Sequence, residues 1–394
     1  MEPLHLIATA AFGLEAVVAR ELAALGYPAT LVEDGRVHFR GDARAIVRTN
    51  LWFRAADRVL VCIAEFEATD FGELFDRTTA CNWEQWLPVT AAFPVQGRSV
   101  KSRLQSVPDC QRIVKKAIVE RLKRVYRRDW FVESGPTCRV EVSLLRDRAL
   151  LTLDTSGDGL HKRGYRRLVG EAPLRETLAA ALVLLSYWSP GRPFLDPCCG
   201  SGTIPIEAAL IGRNRAPGLT RTFAAEAWPQ IPAADWEQAR IEARDLLLPP
   251  LKERLLGTDL SGRALELARH HATLAGVAGD LHLQQRSVSE LSTRRTHGCL
   301  IANPPYGERL GEQQQATQFV RELGSACRPL ETWSLYVLSP HPQFEQLFGR
   351  RADRRRKLYN ARIACTYYQF HGPRPPRAPA AVDRDVAPTE LEPE

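Results

Sequence analysis

No stretch of this 394-residue chain approaches the ~18–20 consecutive apolar residues of a membrane-spanning helix, which excludes an integral helical membrane protein. The segment Met1 to Ala10 carries no basic cluster ahead of an apolar core, so no secretory leader is expected. The nine cysteines are odd in number and none is spaced C-x-x-C. That argues against a disulfide framework and against a zinc site, and a reduced, cytoplasmic setting without a metal is expected. A Gly-Lys-Ser/Thr phosphate loop is absent. The dinucleotide fingerprint G-x-G-x-x-G is broken, because Pro205 and Ile206 follow Thr203 and Ile204 where it needs a glycine. Lysine is scarce, seven residues against 46 arginines, a skew better attributed to genome composition than to a ligand. The net charge of +7 and a pI near 9.0 nonetheless favour a polyanionic partner.

What is present is concentrated in three short strings. Cys299-Leu300-Ile301-Ala302 reads as a buried strand and runs into Asn303-Pro304-Pro305-Tyr306. Two prolines cannot extend a strand, so the chain turns there. The turn leaves a carboxamide, a proline carbonyl and an aromatic ring at the C-terminal edge of a sheet, where open α/β folds bind ligands. Such a set can accept both hydrogens of an exocyclic amine and stack on the base that carries it, which suits methylation of a nucleobase amine. The bland alternative is an ordinary Pro-Pro loop.

The second string is Phe194-Leu195-Asp196-Pro197-Cys198-Cys199-Gly200-Ser201-Gly202-Thr203, a strand entering a Gly-x-Gly loop and then a helix from Ile204 to Ile211. The glycines permit a tight turn and a close approach of backbone to ligand. Cys198 and Cys199 are expected to be small packed loop residues. The third string, Leu255 to Leu260, is a strand ending in Asp259, which can bind the two hydroxyls of a ribose. Asp259 could instead cap the following helix, Gly262 to Leu274, but Ser261 competes for that position. His270-His271 on this helix is expected on a solvated face.

In this order the strings resemble class I S-adenosylmethionine-dependent amino-methyltransferases. Three longer ones narrow the resemblance: His161-Lys162-Arg163-Gly164-Tyr165-Arg166, Ala172 to Ala180, and Asn303 to Leu310. They are similar to the THUMP-domain RNA guanine-N2 methyltransferases, and most similar to the bacterial enzymes that act on 23S rRNA. The resemblance implies S-adenosyl-L-methionine as cofactor, held by Thr177, Asp196, Cys199, Gly200, Ser201, Gly202, Thr203, Asp259, Ser287 and Asn303. Asn303, Pro304 and Tyr306 would be catalytic. Ser287 stands where the family usually has an acid for the adenine amino group, so that contact would lose its charge. The partner implied is RNA, 23S rRNA or a pre-50S particle, and a monomer is expected. Methylation of tRNA guanine is the alternative within the family. An RNA-binding protein with a weakened methylase half, and adenine-N6 methylation of DNA, lie outside it.

The domain organisation follows from periodicity. Residues 1–66 have the β-α-β-β-α-β order of a ferredoxin-like unit, with a hairpin turn at Asp34-Gly35 and Asp42 capping the second helix. Residues 67–160 read as a helix from Phe71 to Trp86, a strand from Ala91 to Gln96, a basic helix from Asp109 to Tyr126 and a hairpin turning near Asp147-Arg148. The resemblance makes this block the THUMP RNA-binding fold. Arg112, Lys115, Lys116, Lys123 and Arg124 share faces of the basic helix and can neutralise phosphates, unless they form an ordinary solvated face. Lys162 and Arg163 join this RNA-binding set. Residues 161–370 alternate strand and helix as a Rossmann-like parallel sheet finished by an antiparallel hairpin, interrupted by an insertion over residues 213–250. The fold class is therefore α/β with two α+β modules ahead of it. The Pro-, Ala- and acid-rich residues 371–394 are expected to be a disordered tail.

Overall fold

A computed structural model of the chain describes residues 3–166, 174–307 and 312–376. The first unit comprises β1 (Leu4–Ala10), α1 (Glu15–Ala24), β2 (Ala29–Glu33), β3 (Arg36–Gly41), α2 (Ala43–Trp52) and the long β4 (Ala56–Glu67). The β2–β3 turn is Asp34-Gly35, with Gly35 at φ +75°, a value a two-residue hairpin favours. Asp42 caps α2, its Oδ1 accepting the Ala45 amide at 2.9 Å.

The second unit comprises α3 (Phe71–Ala80), β5 (Val95–Val100), α4 (Val107–Tyr126), β6 (Val140–Leu145) and β7 (Arg148–Asp154). Three boundaries differ from the sequence expectation. The helix from Phe71 ends at Ala80, not Trp86, because Trp83 turns into the core and its indole donates to the Thr78 carbonyl at 2.8 Å. The strand expected at Ala91–Gln96 begins at Val95, after Pro94, which has no amide to give a ladder. The β6–β7 turn is Arg146-Asp147, both at positive φ, one residue earlier than expected. The two units also share one sheet. β4 pairs with β1 on one side and with β7 on the other, giving the seven-stranded order β2-β3-β1-β4-β7-β6-β5.

The third unit runs α5 (Glu176–Leu184), β8 (Phe194–Asp196), α6 (Thr203–Gly212), α7 (Ala233–Asp245), β9 (Leu255–Asp259), α8 (Gly262–Leu274), β10 (Leu281–Gln285), β11 (Cys299–Ala302), α9 (Glu312–Cys327), β12 (Ser334–Ser339), α10 (Phe344–Phe348), β13 (Arg354–Asn360) and β14 (Ile363–Phe370). Its seven strands lie in the order β10-β9-β8-β11-β12-β14-β13, parallel except for β14, which is antiparallel to both neighbours. β13 starts three residues before the expected Lys357 and takes in Arg354 to Arg356. Charges on an edge strand discourage pairing with another chain. The sheet reverses direction of growth between β8 and β11, which places the loops after these strands side by side at a switch point. Of the tail expected to be disordered, residues 371–376 are described, and the first two are bonded to the sheet edge: the His371 amide donates to Asp353 Oδ2 at 2.7 Å and the Gly372 amide to Ser334 Oγ at 3.2 Å. The remainder of that expectation, residues 377–394, lies outside the described residues, as do residues 172–173 and 308–310 of the longer family strings.

Residues 213–250 bridge the units. The Gly218 amide donates to the Leu51 carbonyl at 2.9 Å, and a Cβ on Gly218 would stand 2.7 Å from Leu51 Cα, so the close approach requires glycine. Arg48 pairs with Glu242 of α7 at 2.9 Å. Trp228 is buried and donates through its indole to the Thr137 carbonyl at 3.2 Å.

Arg163 corrects the sequence expectation. It is 3% exposed and therefore cannot reach an RNA phosphate. Its guanidinium donates to the Phe53 carbonyl at 3.3 Å, to the Leu160 carbonyl at 2.6 Å and to the Arg54 carbonyl, and its Nε lies 3.5 Å from Glu207 Oε1 in α6. Tyr165 donates its hydroxyl to the same carboxylate at 3.0 Å. Removing one partner leaves a charge buried without its counter-ion, which costs about 3–5 kcal/mol. Arg163→Ala should therefore lower stability by about that amount in a denaturant titration. A variant as stable as the parent chain would remove Arg163 from the interactions that join the units.

Candidate functional site

The loops after β8, β9 and β11 meet at the C-terminal edge of the second sheet. β8 pairs with β9 on one side (Asp196 opposite Gly257) and with β11 on the other (Leu195 opposite Leu300). The three sequence strings, distant in the chain, are thus neighbours in space.

The glycine loop is latched to β9. The Cys199 amide donates to the Thr258 carbonyl at 2.9 Å, and the Gly200 amide donates to Asp259 Oδ2 at 2.9 Å. Gly200 (φ +52°) has open space where a Cβ would stand, whereas a Cβ on Gly202 (φ +83°) would meet Ala268 Cβ at 2.9 Å. One glycine thus leaves room above the loop, and the other lets α8 pack beneath it. Ser201 and Thr203 flank Gly202 at the start of α6, whose first turn has no side-chain cap and leaves its amides facing the loop.

Ser261 is the cap of α8, accepting the Ala264 amide at 3.2 Å. That frees Asp259 from the competing role. Asp259 Oδ1 accepts the Ser261 amide at 2.9 Å, and with four lone-pair sites the carboxylate retains acceptors for ligand hydroxyls. Ser287 follows β10, beside Asp259. Its hydroxyl accepts the Ser289 amide at 3.3 Å and meets Ser289 Oγ at 2.8 Å, so it is engaged in a local cap.

Asp196 is 1% exposed and accepts the Cys198 amide at 3.2 Å. Burial pushes its carboxyl up to about 8; the Cys198 amide opposes the rise and the Asp259 carboxylate adds to it. Burial likewise holds the Cys198 and Cys199 thiols well above their usual range, so neither is a thiolate nucleophile. Among the described residues, no cluster of three or more His, Cys, Asp and Glu could hold a metal.

At the β11 turn, Tyr306 donates its hydroxyl to Asn303 Oδ1 at 2.7 Å. Asn360 Nδ2 donates to the Tyr306 oxygen at 3.4 Å, and Cys365 Sγ lies 3.6 Å from it. Pro304 is buried and Pro305 exposed. A carboxamide oxygen has two lone pairs, so Asn303 can hold Tyr306 and still accept one further hydrogen.

The structure adds residues the sequence did not single out and moves others. His271 is buried, its Nδ1 3.1 Å from the Ser201 carbonyl under the glycine loop; only its neighbour His270 stands on the exposed face expected for both. Its spacing with Leu265, Ala268 and Ala272 was the available signal. Asn360 and Cys365 lie in the terminal hairpin and carry no motif. Thr177, expected at the cofactor, donates its hydroxyl to Asp57 Oδ1 at 3.3 Å.

The basic helix is α4, with Cys110, Val114, Ala117, Ile118 and Leu122 buried against the sheet. Lys115 is bound internally, its Nζ 2.7 Å from Glu133 Oε1 and 3.7 Å from the centre of the Phe93 ring. Arg112 pairs with Asp109, and Lys123 lies 3.4 Å from Glu120. Lys116 and Arg124 are exposed. Just beyond them Trp130 is 81% exposed beside Arg127 and Arg128, an aromatic among cations that the sequence reading passed over. Lys162 is exposed and pairs with Asp158 at 2.9 Å.

Comparison with known proteins agrees with this architecture. Residues 163–369 match the family model described as UPF0020, RMKL-like, methyltransferase domain. Residues 5–60 match the RlmL ferredoxin-like domain and residues 68–154 the THUMP domain. The chain is 50% identical over 372 residues, 94% of itself and 96% of the relative, to the "Putative RNA methyltransferase YpsC" of Bacillus subtilis. Among solved structures it is similar to a protein of Listeria monocytogenes named as a predicted N6-adenine-specific DNA methylase, with 50% identity and TM-score 0.90 over 95% of this chain and 97% of that one. It is also similar to SMU.472, named as a putative methyltransferase complexed with SAH, at 44% identity and TM-score 0.90, covering 95% and 100% of the two chains.

The raised Asp196 has a consequence for stability. A carboxyl whose folded pKa lies above its ordinary 3.8 binds a proton more tightly in the folded state, so stability falls as pH rises from about 4 to about 8. Asp196→Asn should remove this part of the pH dependence. Melting curves of both proteins across that range, without ligand, test it; an unchanged slope in the variant would show that Asp196 ionises normally.

Proposed function

The chain belongs to the RMKL-like methyltransferase family, and on that premise we propose that it methylates the exocyclic N2 of a guanine in 23S rRNA. S-adenosyl-L-methionine is the cofactor and supplies an electrophilic sulfonium methyl group. The observation that carries the reading is the β11 turn: Asn303 Oδ1, held by Tyr306 at 2.7 Å, stands beside the loop latched by Asp259.

In this reading the backbone of Gly200 to Thr203 and the Asp196 carboxyl hold the methionine end, with the Cys199 backbone fixing the loop. Asp259 takes the ribose hydroxyls and Ser287 faces the adenine edge. Asn303 and the Pro304 carbonyl accept the two hydrogens of the target amine. Its lone pair is then turned toward the methyl carbon. The N–C bond forms as the S–C bond breaks, the bonding pair leaves with sulfur, and the alkylated amine loses a proton to solvent. No strong base is needed, because the amine becomes acidic as it is alkylated. The chain's contribution is position, whose worth can reach ~7–11 kcal/mol. Guanine, as against adenine, rests on the longer strings that end in Asn303 to Leu310; tRNA guanine is the second substrate they allow. Residues 1–66 and 67–160 present the RNA to residues 161–370, with Lys116, Arg124 and the Trp130 segment of the second unit against its phosphates and bases.

Two experiments test this. Purified protein, S-adenosylmethionine and rRNA or tRNA from cells lacking the protein should yield N2-methylguanosine in digested 23S rRNA, detected by mass spectrometry. Label on adenine N6, or in tRNA alone, would refute the substrate. Asn303→Ala should slow transfer about a hundredfold or more with cofactor affinity nearly intact, since a misplaced acceptor costs at least that much. A fully active Asn303→Ala protein would refute the mechanism. Independently, RNA affinity should fall steeply with salt, and charge reversal at Lys116 and Arg124 should flatten that slope; affinity indifferent to salt would return α4 to a solvated face.

A further inference from the structure

A cavity of about 500 Å³ opens between the first unit and the terminal hairpin, lined by Phe12, Asp57, Arg175, Thr177, Lys357 and Tyr359 among others. Its walls are closely packed. The carbonyl of Gly13 accepts from Arg356 Nη1 at 3.0 Å, and a Cβ on Gly13 (φ +88°) would meet the Lys357 carbonyl at 2.6 Å, so the β1–α1 loop lies directly on β13. On the far wall Thr177 is bonded to Asp57.

The lining is unusual for a gap between domains. Phe12 is 48% exposed and meets Tyr359 edge to face, with centres 5.8 Å apart. Lys357 Nζ lies 5.5 Å from the centre of the Tyr359 ring. The side chains of Lys357 and Arg175 are both exposed and make no hydrogen bond or ion pair with a described residue, although the Arg175 charge acts on the Asp57 carboxyl. An interface built only to join two units would bury the ring and pair the cations. An exposed ring and a half-buried one with exposed cations beside them are the chemistry of a single-stranded nucleic-acid site, with bases on the aromatic faces and phosphates on the cations.

Position supports the same occupant. Alternate residues of a strand face opposite ways. Tyr359 and Ala361 line the cavity, while Asn360 between them donates to the Tyr306 hydroxyl at the β11 turn. The cavity is thus one strand's width from the catalytic turn.

We propose that this cavity is a subsite for the nucleotide adjacent to the target in the RNA, its base stacked on Phe12 and Tyr359 and its phosphate held by Lys357 and Arg175. The proposal rests on the reading of the protein as an RNA base methyltransferase. Gripping a neighbour outside the stack would help draw the target base out of its helix and toward Asn303. It also gives the first unit, which carries Phe12, a direct part in substrate recognition.

The test uses the full chain and two readouts. A short single-stranded RNA bearing 4-thiouridine is irradiated with the protein, and the crosslinked peptides are mapped; the crosslinks should fall on Phe12 or Tyr359. Separately, Phe12→Ala should raise the KM for rRNA by about 5- to 150-fold, the range a single stacked base commands. Lys357→Glu should raise it and reduce the salt slope by about one. Both variants should melt and bind S-adenosylhomocysteine as the parent does. If the parent methylates RNA and both variants match it, the subsite is refuted while the proposed function stands. If the parent methylates no RNA but the crosslinks form at Phe12 or Tyr359, the proposed function fails and the adjacent-nucleotide assignment with it, and the cavity is a single-stranded RNA site only. Crosslinks confined to α4, or crosslinks abolished by free uridine monophosphate with methylation of RNA unaffected, would overturn the subsite as well.

Discussion

The placement of the first sheet against the glycine loop of the second depends on one buried guanidinium that ties the two. Arg163 donates to carbonyls at the end of α2, in the first unit, and faces Glu207 in α6, the helix that follows the glycine loop. Arg54, buried against the same cluster, has its pKa drawn down to about 10 by burial, partly offset by Glu21 and Glu207. Glu21 accepts the Arg54 and Ala55 amides at 2.8 and 3.0 Å. A polar cluster of this kind contributes little net stability compared with an apolar core, but it tolerates few arrangements. Sliding one unit over the other would strand several buried charges at once. An apolar interface would resist sliding less, since dispersion contacts are non-directional.

The insertion over residues 213–250 acts with this cluster. Its glycine approaches Leu51, its arginine-facing helix meets Arg48, and Trp228 reaches Thr137 in the second unit. The insertion therefore touches both modules ahead of the catalytic sheet. Because β4 pairs with both β1 and β7, those modules form one continuous sheet.

The catalytic strings were legible because their chemistry is local. A double proline after an apolar run forces a turn, Gly-x-Gly needs positive φ, and Ser261 capping α8 frees Asp259; each follows from residues a few positions apart. The alternation of strands and helices fixed the parallel sheet for the same reason. What escaped was set by contacts between residues far apart in the chain. Arg163 sits in a run of basic residues that reads as surface, and only its partner 44 positions later, Glu207, explains its burial. His271 read as polar because its neighbour His270 is, yet the 3.6-residue period puts the two on different sides of α8. The shared sheet of the first two units was invisible because a strand's second partner leaves no mark on its own pattern.

The terminal hairpin shows how far such contacts extend into the chemistry. Asn360 and Cys365 face the Tyr306 hydroxyl from β13 and β14, more than fifty residues beyond the turn they support. Tyr306 in turn fixes Asn303 Oδ1 at 2.7 Å. An acceptor aimed at an amine must be held to a fraction of an ångström to be useful, and a turn with two prolines restrains its backbone but not its side chain. The hairpin supplies that second restraint. The same strand, through Lys357 and Tyr359, turns its other face to the first unit, so the edge of the catalytic sheet connects the acceptor to the domain ahead of it. A site assembled this way is completed only when the first and last segments of the described chain have docked on each other. The first sheet and the β11 turn are thereby joined through β13, by Arg356 to the Gly13 carbonyl and by Asn360 to the Tyr306 hydroxyl.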